Sequence, residues 1–187
     1  MWSHDKLWKK SKNFIELALD TDDRNSPLFP FWCALSIELL ARASLAKVHS
    51  ALLADAQQNG DNVLFACGIQ GVKSPKSIGT KTVFLRCNRV IEQFTEADYK
   101  FCMLLMEKRN EELHTGASPF EGWPHAEWLP EFYRISGKIL DFIDKSMDDY
   151  LGKKEAKTAK KMISALLTNK KDEAFKIIKQ QKESFLK

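Results

Sequence analysis

Thr95-Glu96-Ala97-Asp98-Tyr99-Lys100-Phe101-Cys102-Met103-Leu104-Leu105-Met106-Glu107-Lys108-Arg109-Asn110-Glu111-Glu112-Leu113-His114-Thr115-Gly116 reads as one helix with both ends marked. Thr95 and Asp98 have the spacing of a capping box, with Asp where Glu is more usual. Gly116 suits the position just past the last turn. Cys102, Met106, Arg109 and Leu113 follow at steps of four, three and four, the rhythm of a packing seam. Arg109 thus falls where an apolar side chain is expected, and an arginine on a packing face needs an anion or a partner.

The same rhythm extends outward in both directions. Residues 2–19 read as a first helix with Trp8, Ile15 and Leu19 on one face, ended by the polar turn Asp20–Pro27. Pro30 can open a second helix reaching to about Ala54, with Ile37, Leu40, Ala41, Ser44, Leu45 and Val48 at helical spacing. Glu38 and Arg42 lie one turn apart on it and can pair. Residues 80–91 form a short helix. A further one runs from about Glu131 to Tyr150, with Ile135, Ile139, Phe142, Ile143 and Met147 inward. Two short amphipathic helices, near 155–168 and 171–186 and separated by Thr168-Asn169, complete the chain. The fold class is therefore all-α: a helical bundle over residues 1–152 and a Lys-rich C-terminal helical extension over 153–187. The pattern stops midway at Phe185-Leu186-Lys187, as expected of a natural extension or a piece of a larger protein.

With 187 residues, the chain is long enough for one domain and a real core, and 29% charged residues fit a soluble globular protein. No apolar run is read as approaching a membrane span, and Met1-Trp2-Ser3-His4-Asp5-Lys6 lacks a signal-peptide core. Cys33, Cys67, Cys87 and Cys102 are widely spaced among apolar neighbours, so core thiols in a reducing cytoplasm are expected. The net charge of +4 is uneven. Residues 153–187 hold 11 Lys against 4 acids, or +7, which leaves −3 on residues 1–152. The bundle is not a general polyanion binder, and nucleic-acid affinity must come from local patches.

Residues 56–79 are the long irregular connector, with four of the eight glycines. No acid occurs from Asn62 to Ile91, while Lys73, Lys76, Lys81, Arg86 and Arg89 are all cationic. A phosphate-contacting loop and a solvated connector are both compatible with that run. The aromatic stretch Pro119–Tyr133 offers Trp123 and Trp128 for base stacking, or folds as a cover over the end of the bundle. The Lys-rich face beyond residue 152 is read as solvated, with RNA or membrane contact as lesser options.

The chemistry is concentrated in Arg109-Asn110-Glu111-Glu112-Leu113-His114. A guanidinium grips phosphate through a planar fork at any working pH, and an imidazole transfers protons near neutrality. This Arg-Asn-x-x-x-His sequence at a helix end, in an all-helical chain with a long second helix and an irregular connector, resembles the HEPN superfamily. The resemblance covers about residues 1–150, but only the hexapeptide is specific. It implies a metal-independent endoribonuclease, needing no cofactor, of the kind found in toxin–antitoxin, phage-defence and RNA-processing systems. It implies a homodimer in which two copies of the motif converge on RNA. Arg109 would grip the scissile phosphate, His114 would act as base or acid, and Asn110 would orient the phosphate or the imidazole. Glu38, Lys73, Lys76, Lys81 and Glu111 are secondary candidates for substrate contact. The family also includes inactive members that serve as dimerisation or nucleotide-binding modules. In one subclass a Tyr two residues after the His is modified by a nucleotidyltransferase antitoxin; Gly116 stands there in this chain. An antitoxin or larger defence complex of another kind remains an expected partner, and a membrane does not.

Two physical points accompany the resemblance. In-line attack by a 2′-hydroxyl wants a base on one side and an acid on the other, and one motif supplies one His, so a twofold interface completes the pair. Arg109 and His114 lie about 140° apart around the helix, whereas Asn110 and His114 share a face. The C-terminal helix dipole, Glu111 and Glu112 favour a charged His114, and burial opposes it. Three alternatives stand beside the nuclease: a non-catalytic binding module, a metal hydrolase using His49, His114 and His125 with Glu111 or Glu112, and a purely structural motif. In that last case His114 caps its own helix and Arg109 pairs with Glu38.

Overall fold

Ser3 accepts the backbone N–H of Lys6 and so opens α1, His4–Leu19. Residues 2–57, 60–71 and 73–185 are described by this computed structural model, with side chains as far as Thr168. The described residues contain α1, α2 (Leu28–Val48), α3 (Asp61–Ala66), α4 (Thr80–Val90), α5 (Glu96–His114), α6 (His125–Phe142) and α7 (Met147–Phe185). Their sole β feature is a single bridge between Ala54 and Ser77. The all-α class read from periodicity is the one observed.

α2 is the axle. It buries Phe29, Cys33, Ile37, Leu40, Ala43 and Leu45, which lie on several sides of the helix, and α1, α4, α5 and α6 all pack on it. A helix apolar on most sides belongs at the centre of a bundle. It is also long and apolar enough to cross a membrane by length and composition, contrary to the sequence expectation, but 67% of its apolar window is buried inside the bundle. α7 lies outside this layer, packed on α6 and α1.

α5 begins with the expected capping box. The Asp98 backbone N–H reaches Thr95 Oγ1, and the Thr95 backbone N–H donates to Asp98 Oδ2 at 2.7 Å. Asp98 is fully buried and also receives Lys138 Nζ at 2.7 Å and Arg134 Nη2 at 2.5 Å, so this cap pins α5 to α6. Thr95→Ala should lower stability by about 1 kcal/mol, measured by urea unfolding. No measurable loss would mean that the cap contributes nothing to the fold.

Several boundaries differ from the sequence reading. α2 stops at Val48, because His49 is extended (φ −167°) and its Nδ1 accepts the Ala51 N–H, starting a separate 3-10 turn at Ser50–Leu53. Val48, read as inward, is therefore exposed at the helix end. The connector 56–79 contains α3 and is tied down by buried Asn62, whose side chain donates to the Asp55 carbonyl and accepts the Lys76 N–H. α6 starts at His125, six residues before Glu131, and takes Pro130 within its second turn. Burial of Trp128, Leu129, Phe132 and Tyr133 outweighs the one backbone bond that Pro130 omits. α6 ends at Phe142 rather than Tyr150, since Asp144 takes a left-handed φ of 55°. Ile135, Ile139 and Ile143 are buried as expected, with Phe142 and Met147 packed at the margin.

The two C-terminal helices anticipated around Thr168-Asn169 are one. α7 breaks at Gly152 instead (φ 76°), a conformation few side chains tolerate. Thr168 does not interrupt it, because its hydroxyl donates to the Ser164 carbonyl one turn back.

Of the four cysteines, Cys33, Cys87 and Cys102 are core thiols, whereas Cys67 is exposed at the end of α3. Burial pushes Cys87 up to about 12 and raises Cys33 and Cys102 strongly. A maleimide at neutral pH should label Cys67 first, giving one modified thiol per native chain by mass spectrometry. Equal labelling of a second cysteine would contradict this packing.

Candidate functional site

The seam of α5 turns polar where it meets the middle of α2. Cys102 and Met106 are buried, and Arg109 comes next, with its side chain 13% exposed. Its Nη1 lies 3.2 Å from Glu38 Oε2. The other oxygen of Glu38 accepts Arg42 Nε at 3.0 Å, Arg42 Nη2 at 2.9 Å and Thr80 Oγ1 at 2.8 Å. Arg42 also donates to the Ile78 carbonyl. One carboxylate is thus shared by two guanidiniums, a trio with one net positive charge, closed by the threonine that opens α4. Sequence spacing anticipated the Glu38–Arg42 pair. The requirement that Arg109 find a partner is met by Glu38, as in the structural alternative.

Two buried atoms of α5 make no hydrogen bond among the described residues: Arg109 Nε, in this trio, and Glu112 Oε2. They belong to residues three apart on α5, on one side of that helix. Buried polar atoms without partners are costly, of the order of 1–3 kcal/mol each, and point to where a ligand or water can bind. The N-cap of α4 is Gly79, which offers no side chain to the opening N–H groups of that helix. Lys81 stands exposed in the same first turn. Cation, helix start and unfilled donor therefore lie around the Arg109 cluster.

The remaining motif residues face elsewhere. Asn110 and His114 are exposed, one turn apart on the outward face of α5, and neither side chain bonds within the described residues. His114 does not cap its helix. The C-cap is Thr115, whose backbone N–H and hydroxyl both donate to the Glu111 carbonyl. The Glu111 side chain is exposed. Lys73 and Lys76 are exposed in the connector and form no ion pair with described residues. Leu113, last residue of the seam, is 53% exposed beside His114. Within one chain, Arg109, Glu38, Arg42 and Thr80 converge, and Asn110 and His114 stand apart from them.

The aromatic stretch is a cover and not a stacking platform. Trp128 is fully buried, and Trp123 stacks on it at 5.5 Å and on Phe120 at 6.1 Å. Lys108 Nζ lies 4.8 Å from the Trp123 ring centroid and donates to the Pro119 carbonyl, tying the loop to α5. The histidines that a metal site would use are separately employed: His125 Nε2 contacts the Arg24 carbonyl, and His49 caps its 3-10 turn. Among the described residues no three of His, Cys, Asp and Glu converge as a metal site would require.

Thr80 and Glu112 join the site without having stood out as substrate contacts in the sequence. Glu112 has a signal, its spacing of three from Arg109. Thr80 has none, because a return across the connector is needed to place it on Glu38. No protein-family model matches this chain, and no curated protein or solved structure does either.

Proposed function

We propose that this protein is a metal-independent endoribonuclease of HEPN type, acting as a homodimer in the cytoplasm, with a defence or toxin–antitoxin role. The observation that carries the reading is the largely buried Arg109 with an unfilled Nε, little more than one turn from exposed His114 on the same helix end. Arg109 would bind the scissile phosphate of RNA. His114 of one copy would take the proton from the 2′-hydroxyl as its oxygen attacks phosphorus. The bond from phosphorus to the 5′-oxygen then breaks, and His114 of the second copy protonates that leaving oxygen. The products are a 2′,3′-cyclic phosphate and a 5′-hydroxyl end. Leu113 supports a dimer here, since an exposed apolar residue next to the general base is the kind of surface that a second copy would cover. Asn110, on the face of His114, would orient phosphate or imidazole.

Glu38 favours a second reading. Because it already pairs with Arg109, the cluster can serve as a structural brace between α2 and α5 in a non-catalytic dimerisation or nucleotide-binding module. Cleavage of labelled RNA in EDTA separates the two, run on the parent protein, Arg109→Ala and His114→Ala, with end groups identified by mass spectrometry. Cyclic-phosphate products that vanish in both variants support the nuclease. A parent that leaves RNA intact supports the module.

A further inference from the structure

The first described turns of α7 beyond Gly152 present lysine on a single face. Lys153, Lys157 and Lys160 recur at steps of four and three, and Lys161 lies beside them. With Asp148 and Ser164, these four lysines line a shallow groove of about 400 Å³. The opposite side of the helix, through Ala156 and Ala159, is buried against the bundle, so the orientation of the stripe is fixed by packing. Lys160 makes one exposed ion pair with Asp148 at 3.3 Å; Lys153, Lys157 and Lys161 make none among the described residues. Glu155, the one acid between residues 153 and 168, is turned inward to Arg24 and Tyr133 and does not offset the stripe.

We infer that this stripe is a docking surface for the phosphate backbone of single-stranded RNA, separate from the Arg109 cluster. The charge balance of the molecule favours such a site. Residues 1–152 sum to −3 and Arg109 is already shared with Glu38, so the bundle by itself gives a polyanion little long-range attraction. Residues 153–187 carry +7, and the described portion sets its lysines one turn apart along one helix. A row of point charges without interleaved aromatic residues reads backbone and not bases. An anionic membrane is the less suitable polyanion. Interfacial helices insert an apolar face beside their lysines, and between Lys153 and Thr168 the apolar face of α7 packs on the bundle through Ala156, Ala159, Met162 and Ile163, with Leu167 the exposed large apolar residue on this segment. α7 packs on α6 and α1, whereas α5 packs on α4 and α2, so the stripe would hold RNA away from the site that cuts it.

The choice of RNA rests on the nuclease reading, but the test does not depend on cleavage. Binding of fluorescein-labelled oligouridine to His114→Ala protein is followed by anisotropy at several salt concentrations. Three phosphate contacts should weaken the affinity about 20-fold between roughly 50 and 200 mM salt, given a slope of about −0.7 per contact for single strands. K153Q/K157Q/K161Q should abolish most of that dependence and leave the melting temperature unchanged. K73Q/K76Q/K81Q, which removes the lysines of the connector and of the first turn of α4, should leave most of it. An α7 triple variant that binds like its parent overturns the proposal, as does loss confined to the connector variant. Sedimentation with phosphatidylserine vesicles in place of RNA binding also overturns it. If oligouridine binds through α7 and no RNA is ever cut, the docking surface stands and the nuclease falls. Cleavage without α7-dependent binding gives the reverse.

Discussion

His114→Ala should abolish RNA cleavage in EDTA while leaving the fold untouched. The side chain is exposed and bonds to nothing among the described residues, so the change in stability should stay within about 0.5 kcal/mol. Loss of a general acid or base costs about 10²- to 10⁴-fold in rate, and here one substitution removes both, because each copy contributes the same histidine. Arg109→Ala should be as inactive but also less stable. It removes a partner from Glu38, which keeps Arg42 and Thr80, so the loss should be about 2 kcal/mol and not the full cost of stranding a buried charge. Arg109→Lys retains the positive charge without the planar fork; it should recover stability more than activity. Melting curves and cleavage rates measured on the same preparations would distinguish the roles. A fully active His114→Ala enzyme would remove the imidazole from the mechanism.

Asp98→Ala should destabilise the fold more than Thr95→Ala, Arg109→Ala or His114→Ala. Asp98 is fully buried and accepts from Lys138, the Thr95 backbone and Arg134, joining the start of α5 to the middle of α6. Truncation leaves Lys138 without its anion and Arg134 with Glu131 alone, at about 3 kcal/mol. For a chain of this size that corresponds to roughly 6–12 °C in melting temperature. The acid response follows from the same contacts. Burial pushes the Asp98 carboxyl up, but Lys138, the Thr95 N–H and Arg134 outweigh it and hold the group below its usual range. The folded protein therefore takes up this proton less readily than the unfolded chain. The stabilisation is complete above the unfolded value of about 3.9 and is lost as pH falls through the lower folded value. Asp98→Asn should flatten the decline in stability below about pH 4 relative to the parent. An unchanged acid profile would show that Asp98 carries no such linkage.

How much of this is legible in the sequence depends on the range of each interaction. The α5 capping box, its seam as far as Arg109 and the Glu38–Arg42 pair are local, within four residues, and the sequence pattern locates them, whereas Leu113 at the end of the seam is exposed. The ends of α2 and α6 escape the pattern because a histidine ring accepting a backbone N–H, a proline absorbed under aromatic burial and a left-handed aspartate decide them. None of these has a periodic signature. Cys67 has apolar neighbours in the chain like the core thiols, but α3 presents it outward.

By itself, the order of residues determined an all-helical chain, a guanidinium on a packing stripe and a lysine surplus beyond residue 152, since side-chain spacing and charge are properties of the chain alone. Only the tertiary structure decided that Arg109 and Thr80 both meet Glu38, that Trp128 is sealed in the core, and that Lys153, Lys157, Lys160 and Lys161 line one outward groove. Those outcomes depend on which helices pack together. That is set by burying apolar area across contacts dozens of residues apart, and no short window of sequence records it.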